Sequence, residues 1–287
     1  MSERFSVYHV PGPKTKLYQL GSAILGRDVY DGAALRPPWP EEDYPKCPPH
    51  PARAATYGFH ATLVAPFRSL VSVETLNSTL QALAAKTEPV ALGPLELTIL
   101  EPGFVALVPK NAPLALNELE ERLVKTFTPY AKPIGPDDLA RREPLTDRQR
   151  ALAKKWGYPY VLDQFRFHLT LSDNLADGLP GNAAQNQTPQ GQDQKGQKRP
   201  DFDKQGFLDL IHALLDESLC APLPLDSLCL CRQAVTGGPF TVISTALFQK
   251  DPKGPNRENG DAISLARDRL DDPARCGLSV NYLHEFK

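Results

Sequence analysis

The sequence predicts an α+β chain made by duplication: two lobes related by a pseudo-twofold, their antiparallel sheets facing a central cleft with helices outside. Three observations carry this expectation. The stretch FHATL at 59–63 returns as FHLTL at 167–171, each with a histidine inside an apolar alternation and a threonine two residues on. Each copy is followed by the same order of signals, a helix and then a hairpin. The 287 residues, 41% hydrophobic and 23% charged, suffice for lobes of roughly 100 residues each.

The elements follow in order. FSVYHV (5–10) alternates as a strand, and TKLYQLGSAILGR (15–27) carries helical periodicity. RPPWPEEDYPKCPPHP (36–51) cannot be helix or central strand, because each proline removes a backbone donor and restricts its predecessor, so it reads as a surface loop. YGFHATLVAPF (57–67) reads as a strand and VETLNSTLQALAAKT (73–87) as a helix. ALGPLELTIL (91–100) and GFVALVPK (103–110) form a hairpin around Pro102 and Gly103, followed by helices near 114–126, 137–142 and 146–156. The second half repeats the theme with a strand at 165–172, a helix near 203–218, and strands at 223–233 and 238–248 joined at Gly237 and Gly238. The stretch 174–205, rich in Gln, Asn, Gly and Pro, reads as a disordered insertion within a domain spanning 1–249, and 250–287 as an appended tail.

Strand periodicity gives the two motifs a direction. Phe59, Ala61 and Leu63 share one face, which must be the core face, and His60 and Thr62 share the other. In the second motif Phe165, Phe167, Leu169 and Leu171 point inwards, and Arg166, His168, Thr170 and Ser172 line the opposite side. An arginine, an imidazole and two hydroxyls are costly to bury without partners, so this face is expected to line a wet cleft.

Composition limits what the cleft binds. A net charge of -2 and a pI near 6.3 give no overall pull towards nucleic acid or anionic membrane. Cys47, Cys220, Cys229, Cys231 and Cys276 are odd in number and lack framework spacing, which suggests free thiols in a reducing compartment. Cys229 and Cys231, one residue apart on a strand with no second pair, do not read as a metal site. MSERFSVYHV lacks the basic start and apolar run of a signal peptide, and the expectation is a soluble, cytoplasmic protein.

The residue types point to phosphodiester chemistry. Cleavage needs one proton removed from the attacking oxygen and another given to the leaving oxygen, and histidine does either near neutral pH. His60 and His168 across a cleft supply both. Thr62 and Thr170 can donate hydrogen bonds to non-bridging phosphoryl oxygens, and Arg166 can supply fixed positive charge. This scheme requires no metal and no cofactor. Tyr8, Tyr57 and Arg27 are further possible substrate contacts; His9 faces away from Tyr8, so at most one of that pair enters the site. His50, His212 and His284 read as structural or surface residues.

Two His-x-Thr strands in a duplicated α+β chain resemble the 2H phosphoesterase superfamily, which includes cyclic phosphodiesterases and RNA 2',5'-ligase-like proteins. More narrowly, RFSVY, LGSAILGRD, YGFHATLVAPF, GFVALVP, LTDRQRALAKKWGYPYVLDQFRFHLTL and PFTVISTALF together resemble the branch encoded beside bacterial phosphonate-degradation genes, over roughly residues 4–249. The resemblance implies a hydrolase of a small cyclic or linear phosphodiester, with a nucleotide or ribosyl cyclic phosphate as substrate; the two-histidine scheme makes it metal-independent, and a monomer is expected. The alternative is an RNA-end 2',5'-ligase or phosphodiesterase, or a non-catalytic nucleotide- or RNA-binding relative. RNA readers usually show basic patches and exposed aromatics, whereas the basic cluster here, KGQKRP at 195–200, falls in the expected disordered insertion.

Overall fold

The computed structural model describes residues 3–41, 43, 47, 51–175 and 204–249. The expected tail and nearly all of the expected insertion lie outside the described residues. The first element, β1 (Arg4–His9), leads to α1 (Lys16–Leu25), which starts where the Thr15 hydroxyl accepts from the Tyr18 N–H and stops where Gly26 turns left-handed. A short helix, α2 (Ala52–Tyr57), precedes the first motif strand β2 (Ala61–Phe67). Then come α3 (Val73–Ala84), the two-residue β3 (Val90–Ala91), the hairpin β4 (Leu95–Leu100) and β5 (Phe104–Pro109), and α4 (Leu114–Phe127). The segment after α4 carries α5 (Pro136–Ala140) and α6 (Asp147–Trp156), the latter opened by a capping box between Thr146 and Gln149. The second motif strand β6 (Leu169–Asn174), α7 (Lys204–Cys220), β7 (Pro224–Leu225), β8 (Ser227–Gln233) and β9 (Phe240–Leu247) complete the chain.

The architecture is α+β with antiparallel sheets, and the duplication survives as element order. Motif strand, helix, two-residue strand and hairpin occur once as β2, α3, β3, β4, β5 and again as β6, α7, β7, β8, β9. The two short strands pair with each other, Val90 with Leu225. The hairpins, however, are exchanged between halves. The first motif strand lies in a four-stranded sheet ordered β2-β1-β8-β9, and the second in a sheet ordered β4-β5-β6. Neither half can therefore complete its own sheet.

Helix faces at i, i+3 and i+4 spacing cover the sheets and join them in one core: Leu76 and Leu80 from α3, Leu116, Leu119 and Leu123 from α4, and Phe207, Ile211 and Leu215 from α7. Each such side chain contributes about 1.5–3 kcal/mol by leaving water. Gly21 on α1 is a required close approach, since a Cβ there would lie 2.5 Å from the Phe59 ring. The inward direction read for Phe59, Ala61, Leu63, Phe167, Leu169 and Leu171 matches their burial; Phe165 is only half-buried. A satellite core of Val124, Leu152 and Val161 anchors the α5–α6 segment on α4. There Glu120, itself buried, accepts the Leu162 N–H at 3.1 Å.

Three expectations are corrected. Residues 52–57 are helical, so Tyr57 ends a helix and does not begin a strand. The proline-poor ARAATY run lets the chain coil, and Gly58 then breaks it at φ 72°. The second motif strand begins at Leu169, because a turn over Leu162–Gln164 takes up the chain before it. Ser172 is not on an open face. The register of β5 against β6 shifts between Ala106–Thr170 and Phe104–Asn174, and the buried Ser172 hydroxyl accepts the Val105 N–H that the bulge leaves unpaired, at 2.9 Å.

Candidate functional site

Both histidines sit one residue before a strand, in extended chain that belongs to no ladder. There the carbonyl two residues back is free to take a side-chain proton. His60 Nδ1 lies 2.8 Å from the Gly58 carbonyl, and His168 Nδ1 lies 2.9 Å from the Arg166 carbonyl. A carbonyl only accepts, so Nδ1 carries the hydrogen in both rings. Each neutral imidazole thus presents Nε2 as its acceptor, and each protonated one presents Nε2–H as a donor. The repeated motif encodes a repeated tautomer.

Around His60 the site is closely built. Its ring stacks on Tyr8 with centroids 3.7 Å apart and planes 29° apart, and Tyr57 lies 6.3 Å away. Tyr57 is itself stacked on Phe240 at 5.4 Å. Thr62 Oγ1 is 3.0 Å from His60 Nε2, so in the resting state the hydroxyl donates to the ring. Burial pushes the His60 pKa down to about 4, opposed by the Gly58 carbonyl and reinforced by His168, which is within electrostatic reach. His168 is less enclosed, half-buried beside Phe104 at 5.7 Å, and its pKa is also lowered by burial.

Gly58 holds the first motif in shape. Its φ of 72° with ψ of 179° is a conformation that essentially only glycine adopts, and a Cβ would stand 2.6 Å from that of Val29. The second motif reaches across to the first through Asp173. Its carboxylate accepts the Arg53 and Ala54 N–H groups at 3.0 and 2.6 Å, capping α2 from β6. One side chain therefore ties the helix that ends at Tyr57 to the strand that follows His168.

The other sequence-derived residues divide. Tyr8 is the one of the Tyr8–His9 pair beside His60, whereas His9 is buried with Nδ1 3.3 Å from the Ser227 carbonyl and its pKa lowered to about 4 by burial. Thr170 is half-buried on β6 opposite Ala106. Arg166 is exposed, and its carbonyl is what orients His168. Arg27 lies past the end of α1 and donates to the Ala55 carbonyl at 3.4 Å, bracing α2. Asp28 beside it accepts the Tyr18 hydroxyl and the Tyr30 N–H, each at 2.7 Å. Sequence reasoning missed Asp173 and the carbonyls of Gly58 and Arg166. Only the positive-φ glycine before the motif carried any signal.

Among the described residues no three His, Cys, Asp or Glu side chains converge as metal ligands, and no helix is long and apolar enough to cross a membrane. Cys47, Cys229 and Cys231 form no disulfide, and the Cys47 thiol donates to the Asp43 carbonyl at 3.3 Å.

Comparison with known proteins adds the following. A family model described as "Protein of unknown function (DUF1045)" matches residues 62–194. The chain is 35% identical over 178 residues to a ribose 1,5-bisphosphate phosphokinase PhnN of Laribacter hongkongensis, covering 60% of this chain and 40% of that protein. A protein of the same name from Janthinobacterium sp. is 35% identical over 182 residues, covering 60% and 39%. The chain thus spans about 40% of the length of these curated relatives. Among solved structures it is similar to a phosphoesterase at TM-score 0.37 and 13% identity, covering 87% of this chain and 100% of that one. LigT of E. coli complexed with 3'-AMP gives TM-score 0.38 and 13% identity, covering 87% and 100%. Likenesses of that size carry no inference about the site.

Proposed function

We propose that the protein is a metal-independent phosphodiesterase acting on a small cyclic or linear phosphodiester through His60 and His168. The observation that supports it most is the matched tautomer: two imidazoles, each locked through Nδ1 to a carbonyl, each offering Nε2. In the reaction, neutral His60 takes a proton from a water whose oxygen bonds to phosphorus. The ester P–O bond breaks, and the leaving oxygen takes the Nε2 proton of His168, giving a phosphate monoester and an alcohol. His60 is assigned the base because it is the more enclosed ring and its Nε2 carries the lone pair, which is freed for water once the Thr62 hydroxyl turns to the substrate. The bound anion favours the charge that His168 must carry. When substrate enters, the Thr62 hydroxyl turns from His60 Nε2 to one non-bridging oxygen and Thr170 donates to another, with the Arg166 side chain adding positive charge.

A ribosyl cyclic phosphate, as in phosphonate degradation, is the substrate to test first, and the ribose bisphosphate in the relatives' name fits that choice. The phosphokinase activity in the same name is not carried over. The match spans well under half of those proteins, and this sequence contains no Gly-x4-Gly-Lys-Ser/Thr loop to cradle a triphosphate.

The test is to strip the protein of metal, incubate it with a panel of ribosyl and nucleoside cyclic phosphates and 2',5'-linked RNA ends, and follow phosphorus NMR. Turnover of the small esters is expected to survive chelators and to fall at least about a hundredfold in His60→Ala and in His168→Ala. Near wild-type rates in either variant, or activity restored only by a divalent ion, would sink the two-histidine scheme.

A further inference from the structure

The α5–α6 segment, 136–165, holds four arginines, and three of them are matched by carboxylates. Arg141 pairs with Asp138, Arg148 makes a two-pronged contact with Asp163, and Arg150 bridges Glu143 and Asp147. Arg142 is the exception. Among the described residues it has no acidic partner, although five acids lie within the same thirty residues, and its guanidinium carbon rests 5.0 Å from the Tyr158 ring centroid. A guanidinium lying on a ring has one face covered and its edge N–H groups held in a plane, the arrangement suited to two-pronged contact with an oxyanion.

The position is as informative as the pairing. Tyr158 lies within electrostatic reach of the Tyr57 phenol, and the Tyr57 ring is 6.3 Å from His60. Tyr160, 47% exposed, meets Tyr158 edge-on at 5.6 Å and leaves this wall open to solvent. Tyr57 beside the imidazole and Tyr158 beneath Arg142 thus stand within electrostatic reach of each other, and among the described residues no carboxylate pairs with that arginine. The whole unit is carried by the satellite core on α4, independent of either motif strand.

We propose that Arg142, held flat on Tyr158, binds a second anionic group of the substrate, a phosphate monoester on the same sugar as the scissile phosphodiester. This rests on the phosphodiesterase reading for the scissile group alone. The consequence is selectivity for compact, doubly phosphorylated substrates over singly charged ones.

Calorimetric titration with ribose 5-phosphate tests the subsite without turnover, in wild type, Arg142→Gln, Arg142→Lys and the double variant His60→Ala/His168→Ala. Wild type and the double histidine variant are expected to bind alike. Arg142→Gln should weaken binding at least about tenfold, with partial recovery in Arg142→Lys, since an ammonium restores charge but not the two-pronged contact. Undiminished binding in Arg142→Gln, or its loss in the histidine variant, would overturn the proposal. Kinetics with a ribosyl cyclic phosphate bearing or lacking a 5-phosphate give the second readout. Arg142→Gln should raise KM for the phosphorylated ester about tenfold and leave kcat/KM for the other unchanged; equal losses on both would refute the subsite. If wild type turned over neither ester yet kept Arg142-dependent binding, the catalytic reading would fail and the subsite would stand.

Discussion

Protonating His60 is disfavoured by the structure itself, and pH is the perturbation that reads this. The ring is buried against Tyr8, and its pKa is pushed down from 6.5 to about 4. A shift of that size corresponds to about 3 kcal/mol against the charged ring, so about one molecule in a thousand carries that proton at pH 7. Under the proposed roles, the acid limb of kcat/KM belongs to His60 and is expected near pH 4, with activity falling tenfold per unit below it. The alkaline limb belongs to His168, whose pKa is lowered by burial, and therefore lies below 6.5. The optimum falls between those limits, and kcat/KM should drop at least about tenfold from pH 5.5 to 7.5 as the acid loses its proton. The ring protons of His60, assigned by their loss in His60→Ala, give the same quantity by NMR without any substrate. A titration midpoint for His60 at or above 6, or a kcat/KM optimum above pH 7, would refute the reasoning.

Three further outcomes follow from particular contacts. Glu120, buried where it accepts the Leu162 N–H, has its pKa raised to about 7, so as pH climbs through 4.5 to 7 the unfolded chain ionises first and stability is lost. Glu120→Gln should therefore stabilise the protein at pH 8 by about 1–2 kcal/mol after allowing for solvent screening, and not at pH 4.5, as measured by urea unfolding. Gly58→Ala forces a positive φ on alanine and drives its Cβ into Val29, so it should cost at least about 2 kcal/mol in the same assay and displace the carbonyl that fixes His60. Asp173→Ala removes the cap on α2 and should cost about 1–2 kcal/mol; amide exchange at Arg53 and Ala54 should rise, whereas unchanged protection there would show that the cap contributes nothing.

What the sequence determined by itself is local and periodic. Alternation at Phe59–Leu63 and Phe167–Leu171 set the core face of both motifs, since a strand cannot turn one side chain without turning the next. The repeated order of strand, helix and hairpin was legible for the same reason. What tertiary structure alone decided is everything that depends on pairing at long range. The exchange of hairpins pairs Arg4 with Gln233, and the bulge that draws Ser172 inwards and the Asp173 cap on α2 join residues 67 and 120 positions apart; no local pattern records them. The proline-rich approach hid α2, because six residues are too few for a helical period to declare itself. The tautomer of each histidine was equally unreadable, because its partner is a backbone carbonyl. Every residue has one, and only the fold determines which is left free to accept.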